Sequence, residues 1–358
     1  MIIRSLFAFL AMGMASSGVA APTIDYPDVK PGAKLHFPQD EGSHPEFRIE
    51  WWYVTGWLKT GDEREHGFQI TFFRARPDIV AQNNPSSFAP KQILFAHVAL
   101  SDPAENKLLH AQRIARAGLG LAQAKTGSTH VWINDWSLQQ KGNRYIANIS
   151  TPQFRFDFVF DAPMPPMLNG ERGYSQKSPN PLAASYYYSI PQLKVSGTLT
   201  QRGKPQSVTG TAWLDHEWSS EYMDARAVGW DWTGLNFDDG GALMAFRMRD
   251  KTGKALWAGA TYRQPDGATR ILRQGDIDFT PLKSWRSTRS GADYPISMRL
   301  RAGGQDWVLA PLFDDQELDS GDTTRAIYWE GAVHVLKDGK RVGRGYLELT
   351  GYAKALKF

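Results

Sequence analysis

Glu50-Trp51-Trp52-Tyr53-Val54-Thr55-Gly56-Trp57, followed by Gly67-Phe68-Gln69-Ile70-Thr71-Phe72-Phe73-Arg74, is written twice in this chain. The second copy reads Gly229-Trp230-Asp231-Trp232-Thr233-Gly234-Leu235, then Gly240-Gly241-Ala242-Leu243-Met244-Ala245-Phe246-Arg247. Setting Thr55-Gly56 on Thr233-Gly234 brings Trp52 onto Trp230, Gly67 onto Gly240 and Arg74 onto Arg247 once the connecting loop is shortened. An aromatic strand, a tight loop and an apolar strand ending in arginine therefore recur half a chain apart. Such a repeat points to two related β-domains in tandem, with a site inside each barrel or between them.

Working outward, strand signals follow in close succession: residues 47–58, 67–76, 92–100, 108–114, 130–139, 145–150 and 154–160 are rich in aromatic and β-branched residues and bounded by turn residues. Arg155-Phe156-Asp157-Phe158-Val159-Phe160 alternates as a half-buried antiparallel strand should. Residues 161–183, with five prolines and two glycines, read as a long loop of the kind that forms lids. Residues 186–199 and 207–218 make a closing pair, and a second series runs from 228 through 242–248, 256–262, 269–272, 296–300, 307–312, 326–336 and 342–352. Lys337-Asp338-Gly339-Lys340 is a hairpin turn. Residues 111–124 are the one stretch whose pattern could be helical. The expectation is an all-β chain of two tandem antiparallel barrels or sandwiches, at 46–222 and 223–358, preceded by an irregular arm at 22–45.

The 358 residues suffice for two cores. Thirteen tryptophans within 12% aromatic content suit sheet interiors and apolar ligand pockets. A net charge of +4 with scattered basic residues argues against a nucleic-acid partner. Arg4, the apolar run 6–14 and the small-residue stretch ending at Ala21 read as a signal peptide, which predicts a periplasmic or secreted protein with no stable membrane anchor after cleavage. With no cysteine, disulfides and thiolate chemistry are excluded.

Trp213-Leu214-Asp215-His216-Glu217-Trp218 is the densest polar cluster. On a strand, Asp215 and Glu217 share a face with Trp213, and His216 shares the other with Leu214 and Trp218. Carboxyls buried between tryptophans are raised in pKa and can donate protons near neutrality; alternatively, the cluster pins the linker between domains. Glu50 falls on the face of Trp52 and Val54, and Asp231, between Trp230 and Trp232, is its near-counterpart; Arg74 and Arg247 are their natural partners. His97 lies in an otherwise apolar strand, where a satisfied core or pocket-lining histidine is expected. Tyr188, in Tyr186-Tyr187-Tyr188, and Tyr328 and Glu330, in Tyr328-Trp329-Glu330, either fill the barrels or line a pocket. No metal centre or cofactor is expected: Asp215, His216 and Glu217 are consecutive, so a regular strand cannot aim all three at one ion. Gly-x-Ser-x-Gly and phosphate-binding glycine loops are missing.

Glu50-Trp51-Trp52-Tyr53, 96–102, 213–218, Gly229-Trp230-Asp231-Trp232, Tyr328-Trp329-Glu330-Gly331 and Leu349-Thr350-Gly351-Tyr352 together resemble the bacterial tandem lipocalin-like family related to carotenoid 1,2-hydratase (hydroxyneurosporene synthase), whose members are often labelled predicted secreted hydrolases. The resemblance implies two lipocalin-like domains and enzymes that hydrate isoprenoid double bonds, with relatives that shape cyclisations in an interdomain pocket. It would make Asp215 the acid and His216 its orienting or water-activating partner, with Glu217 and Asp231 as further catalytic candidates. Trp213, Trp218, Trp230, Trp232 and Tyr328 would form an aromatic cage for a tertiary cation, and Glu50, Trp52, His97, Tyr188 and Glu330 would complete the substrate site. The implied partner is an apolar isoprenoid- or lipid-like molecule. A non-catalytic carrier and a secreted hydrolase are the rival readings.

Overall fold

A computed structural model describes residues 25–77, 85–86 and 89–356. The expected signal peptide, 1–21, lies outside the described residues. The chain first builds β1 (Ile49–Thr60), β2 (Glu65–Ala75), β3 (Ile93–Ser101), β4 (Leu109–Arg116), β5 (Ala122–Ala124), β6 (His130–Ile133) and β7 (Trp136–Lys141). It continues with β8 (Arg144–Ser150), β9 (Phe154–Asp161), β10 (Met167–Leu168), β11 (Tyr174–Gln176), β12 (Ala184–Gln201) and β13 (Lys204–Ser219). Residues 220–226 lead into β14 (Ala227–Phe237), β15 (Ala242–Asp250), β16 (Ala255–Arg263), β17 (Thr269–Leu272) and β18 (Ile277–Arg286). The last strands are β19 (Asp293–Ala302), β20 (Gln305–Pro311), β21 (Glu317–Asp319), β22 (Ile327–Lys337) and β23 (Lys340–Leu349).

These strands form two antiparallel sheets with one topology. The first runs β4-β3-β2-β1-β13-β12-β9-β8-β7-β6-β5, and the second runs β17-β16-β15-β14-β23-β22-β20-β19-β18. In each, the first strand pairs with both the second and the last, which is how an up-and-down sheet curls towards closure. The first sheet nearly closes: Arg113 of β4 donates to the Ile133 carbonyl of β6 at 3.2 Å and stacks over Trp136. Matching hairpins end both sheets, turning at Arg202-Gly203 and Asp338-Gly339, where both central residues adopt positive φ as a type I′ turn requires. The fold is all-β and lipocalin-like.

The repeat is real, but its sequence alignment is out of phase. In β1 the even-numbered residues Trp52, Val54 and Leu58 enter the first core; in β14 the odd-numbered Leu235 and Phe237 enter the second. Equating Trp52 with Trp230 therefore swaps faces, since an odd slip turns every side chain over. Ladder positions give the true match: Glu50 lies opposite Arg74, and Asp231 opposite Arg247. Thr55-Gly56 and Thr233-Gly234 are a coincidence of composition.

Residues 111–124 form β4 and β5 rather than a helix; small residues mimic helical spacing there, but β3 offers a full ladder of partners from Ile93 to Leu100. The 161–183 loop contains β10 and β11, which pair with the start of β12. β18 escapes the pattern because it is largely exposed, contains Pro281 and shifts register twice.

The outer faces of β1, β2, β3 and β13 pack on those of β14, β15, β22 and β23. An aromatic cluster of Tyr53, Trp57, Tyr187, Trp213, Trp232, Phe246 and Tyr346 fills the seam. Trp57 Nε1 donates to the Gly345 carbonyl at 2.9 Å, and Gln192 Nε2 to the Phe237 and Gly241 carbonyls, both at 2.9 Å.

Candidate functional site

The structure divides the candidate residues among three places. The first is the interior of the first sheet. There Glu50 is fully buried, and its Oε1 contacts His44 Nδ1 and His216 Nε2, each at 2.9 Å. Arg74 Nε and Ser43 Oγ hold Oε2, each at 2.8 Å. Burial raises the Glu50 carboxyl, but the Arg74 charge and the two histidines outweigh it and hold the carboxyl well below its usual range. His216 is driven towards its neutral form by burial, opposed by Glu50; its ring stacks on Trp52 and its Nδ1 meets the Tyr188 hydroxyl at 3.1 Å. Trp218 stacks face to face on His44 at 3.8 Å. His44, Glu50 and His216 are residue types a metal accepts. Their 2.9 Å separations are hydrogen-bond lengths, however, and Arg74 already supplies the counter-charge.

His44 makes this group sensitive to pH. Burial lowers its pKa, but hydrogen bonds and charge from Asp40 and Glu50 prevail and raise it from 6.5 to about 9. A raised folded pKa gives stability that is complete below the unfolded value of 6.5 and lost as pH rises through about 9. The arm at 39–44 is thus latched over the sheet by a protonated histidine. We expect the unfolding free energy to fall between pH 6.5 and 9 by at most ~3 kcal/mol. His44→Gln should flatten that slope in denaturant titrations; an unchanged slope would rule the latch out.

The second place is the interior of the other sheet. Asp231 accepts from Arg247 Nε at 2.5 Å, Arg249 Nε at 2.9 Å and the Tyr352 hydroxyl at 2.9 Å. It is fully buried and saturated, so the expectation of catalysis at Asp231 is corrected: it is the ion-pair lock equivalent to Glu50. Glu50 and Trp52 likewise leave the substrate-binding set, because they face a packed core.

The third place is the seam between the sheets. Strand alternation puts Asp215 and Glu217 here and His216 on the opposite face, so His216 neither orients Asp215 nor shares its surroundings. Trp218 and Tyr188 go with His216 and take no part in a cage at Asp215. Asp215 accepts from Tyr187 Oη at 2.7 Å, Ser189 Oγ at 2.6 Å and Trp213 Nε1 at 2.6 Å. Burial pushes it up to about 7, with these three donors opposing. Trp232 Nε1 donates to Tyr187 Oη at 3.0 Å, extending the chain. Glu217 bonds Ser185 and pairs with Lys177 Nζ at 2.7 Å. That ammonium also meets Ser175 Oγ and lies over the rings of Phe246, Tyr187 and Tyr222 at 4.3, 4.8 and 5.2 Å. Glu348 accepts from Trp230 Nε1 at 2.7 Å and is raised by burial to about 7. Glu330 accepts from the Tyr53 hydroxyl at 2.6 Å and is raised well above its usual range by burial, reinforced by Glu348. Tyr328 sits at the far end of the seam, bonded to His97 Nδ1 at 2.9 Å. His97 Nε2 meets Thr323 Oγ1 at 2.8 Å, so both ring nitrogens are satisfied, and burial lowers its pKa to about 3.

A pocket of about 370 Å³ opens beside this seam. Phe246, Met244, Trp257 and Ile271 form its apolar wall; Ser175, Glu171 and Arg273 give it a polar edge. Phe246 and Ser175 are also the groups that touch Lys177, so the buried ion pair backs directly onto the pocket. Lys177 lies in the proline-rich loop and His44 in the arm, where no periodicity marks a residue; Glu348 and Tyr187 carried a signal, the alternation of their strands. What the seam can do chemically is hold protonated carboxyls out of water next to an apolar space.

Three solved structures share this architecture. The chain matches a structure assigned as AttH from Nitrosomonas europaea with a TM-score of 0.85 and 50% identity, over 91% of this chain and 99% of that one. It matches kievitone hydratase from Nectria haematococca with a TM-score of 0.68 and 17% identity, over 92% and 96% of the two chains. CghA follows with a TM-score of 0.54 and 12% identity, over 88% and 90%. These last two likenesses concern the fold. None of the curated proteins matches the sequence. The doubled lipocalin-like sheets, the half-identical AttH structure and an AttH-like family profile that covers residues 28–352 lead to one conclusion: the chain belongs to the AttH-like family.

Proposed function

We propose that this is an exported protein that takes an apolar, isoprenoid- or lipid-like molecule into the pocket beside the seam and adds water across its double bond, with Asp215 as the acid. The observation that carries the reading is a carboxyl pushed up to about 7 by burial in an aromatic seam that borders a pocket walled by Phe246 and Trp257. Protonation of a trisubstituted alkene gives a tertiary cation. Water then captures it at the cationic carbon and loses a proton to the seam, which regenerates the acid. Aromatic faces stabilise the cation before capture. An acid with pKa near ambient pH is the effective donor. The hydratase named among the structural relatives fits this chemistry.

One observation favours a carrier instead: Asp215 is 3% exposed and is not among the pocket's lining residues. The test is mass spectrometry of lipids copurified from the periplasm with the wild type and with Asp215→Asn. The hydration reading expects an alkene bound to Asp215→Asn and its hydrated product with the wild type, with turnover in the variant down at least ~100-fold. The same bound molecule in both, unchanged, would leave the carrier. Only polar metabolites, or none, would overturn both.

A further inference from the structure

The pocket beside the seam is apolar over much of its wall, and one buried hydroxyl interrupts that surface. Met244 and Phe246 are buried on its inner side, while Arg273 and Gln274 are exposed at its rim. Ser175, 3% exposed, lines the inner side. It is the central residue of β11. Its neighbour Tyr174 packs into the first core, so alternation turns the Ser175 side chain the other way, towards the seam.

Ser175 is only half engaged. Its Oγ accepts from Lys177 Nζ at 3.1 Å, and Lys177 is held in turn by Glu217 at 2.7 Å. A hydroxyl has a hydrogen to donate as well as lone pairs to fill. Among the described residues, no acceptor is paired with the Ser175 hydrogen. Glu217 takes its hydroxyl bond from Ser185 instead. The other side chains of β11 are occupied: Tyr174 Oη donates to the Pro181 carbonyl at 2.7 Å, and Gln176 Nε2 to the Ser178 carbonyl at 2.6 Å. The inner side of the pocket therefore offers a hydrogen-bond donor, and the ammonium that donates to its oxygen polarises the O–H and strengthens it.

Charge narrows the ligand. Lys177 is neutralised by Glu217, and the charged residues of the pocket wall, Glu171 and Arg273, pair with each other at 3.4 Å. An anion would lose its hydration at this end without an unpaired cation to meet it. A pure hydrocarbon would displace water and leave the Ser175 hydrogen unbonded. A neutral oxygen that accepts one hydrogen bond avoids both costs.

We propose that Ser175 is the polar anchor of the pocket, and that the ligand is an apolar molecule bearing a neutral acceptor oxygen, of the ketone or ester carbonyl type, seated against the Ser175 hydroxyl. The anchor rests on the pocket being the ligand site of the proposed function, and it names what that ligand carries. It does not depend on hydration at Asp215.

The probes are geranylacetone, an isoprenoid ketone with a single oxygen, the hydrocarbon of the same skeleton, and the anion of geranylacetic acid, in which a carboxylate replaces the methyl ketone. In equilibrium dialysis, Ser175→Ala should bind the ketone about 10-fold more weakly and the hydrocarbon unchanged. With an isotopically labelled carbonyl, the infrared C=O band of the ketone bound to the wild type should lie below its position in hydrocarbon solvent. In Ser175→Ala it should move up to that position. If Ser175→Ala does not fold, the wild-type band decides alone, and a band at the hydrocarbon-solvent position overturns the anchor. Unaltered ketone affinity in folded Ser175→Ala, or tighter wild-type binding of the anion than of the ketone, overturns it as well and leaves the pocket standing. Binding of none of the three probes removes the pocket itself, and the anchor with it.

Discussion

Glu50→Ala is expected to destabilise the protein by about 3–5 kcal/mol, the cost of leaving a buried charge without its partner. Glu50 is the acceptor for Arg74, His44, His216 and Ser43 together. Without it, the 2% exposed Arg74 keeps its charge and hydrogen bonds to the Phe47 and His44 carbonyls, but has no anion. The arm should also detach, because Ser43 and the backbone N–H of His44 bind the same carboxylate. Two measurements check this: denaturant unfolding for the stability, and proteolysis of the arm, which should become fast at residues before 48. Asp231→Ala should behave alike in the second sheet, where Arg247 and Arg249 lose their anion. A loss below ~1 kcal/mol, the range of a surface ion pair, would refute the lock.

Lys177→Met should cost a similar ~3–5 kcal/mol, since it leaves Glu217 buried with Asp215 and no cation beside it. Removing both charges is the informative step. Lys177→Met combined with Glu217→Leu replaces the pair by apolar groups and should recover most of the loss, since desolvation offsets much of a buried pair's attraction. Tryptophan fluorescence in denaturant reads both variants, as Trp213 and Trp232 lie in the same cluster. A double variant no more stable than Lys177→Met alone would mean that Lys177 acts through its aromatic contacts instead. If the apolar pair is as stable as the wild type, the charges are retained for the pocket they border rather than for the fold.

Much of the architecture was legible. Alternation alone placed Asp215 with Glu217 and Trp213, and His216 with Leu214 and Trp218, because side chains on a strand change face at every residue. The partnership of Arg74 with Glu50 and of Arg247 with Asp231 was visible from residue type and repeat position. The exposed β18 was not legible, because a strand that buries little carries no alternation to read.

By itself, the sequence determined the all-β class, the doubling of the fold and, in the strands that alternate, which residues share a face, because these depend on period-two patterning within single strands. Only the tertiary structure decided which face is a core and which is a seam. It turned Glu50 and Asp231 into equivalent locks, moved His216 away from Asp215, and brought Lys177 from a loop and Glu330 and Glu348 from the second sheet to one buried interface. The reason is physical. Contacts between residues hundreds of positions apart, such as Tyr53 with Glu330, arise from how two twisted sheets dock, and that geometry leaves no periodic mark along the chain.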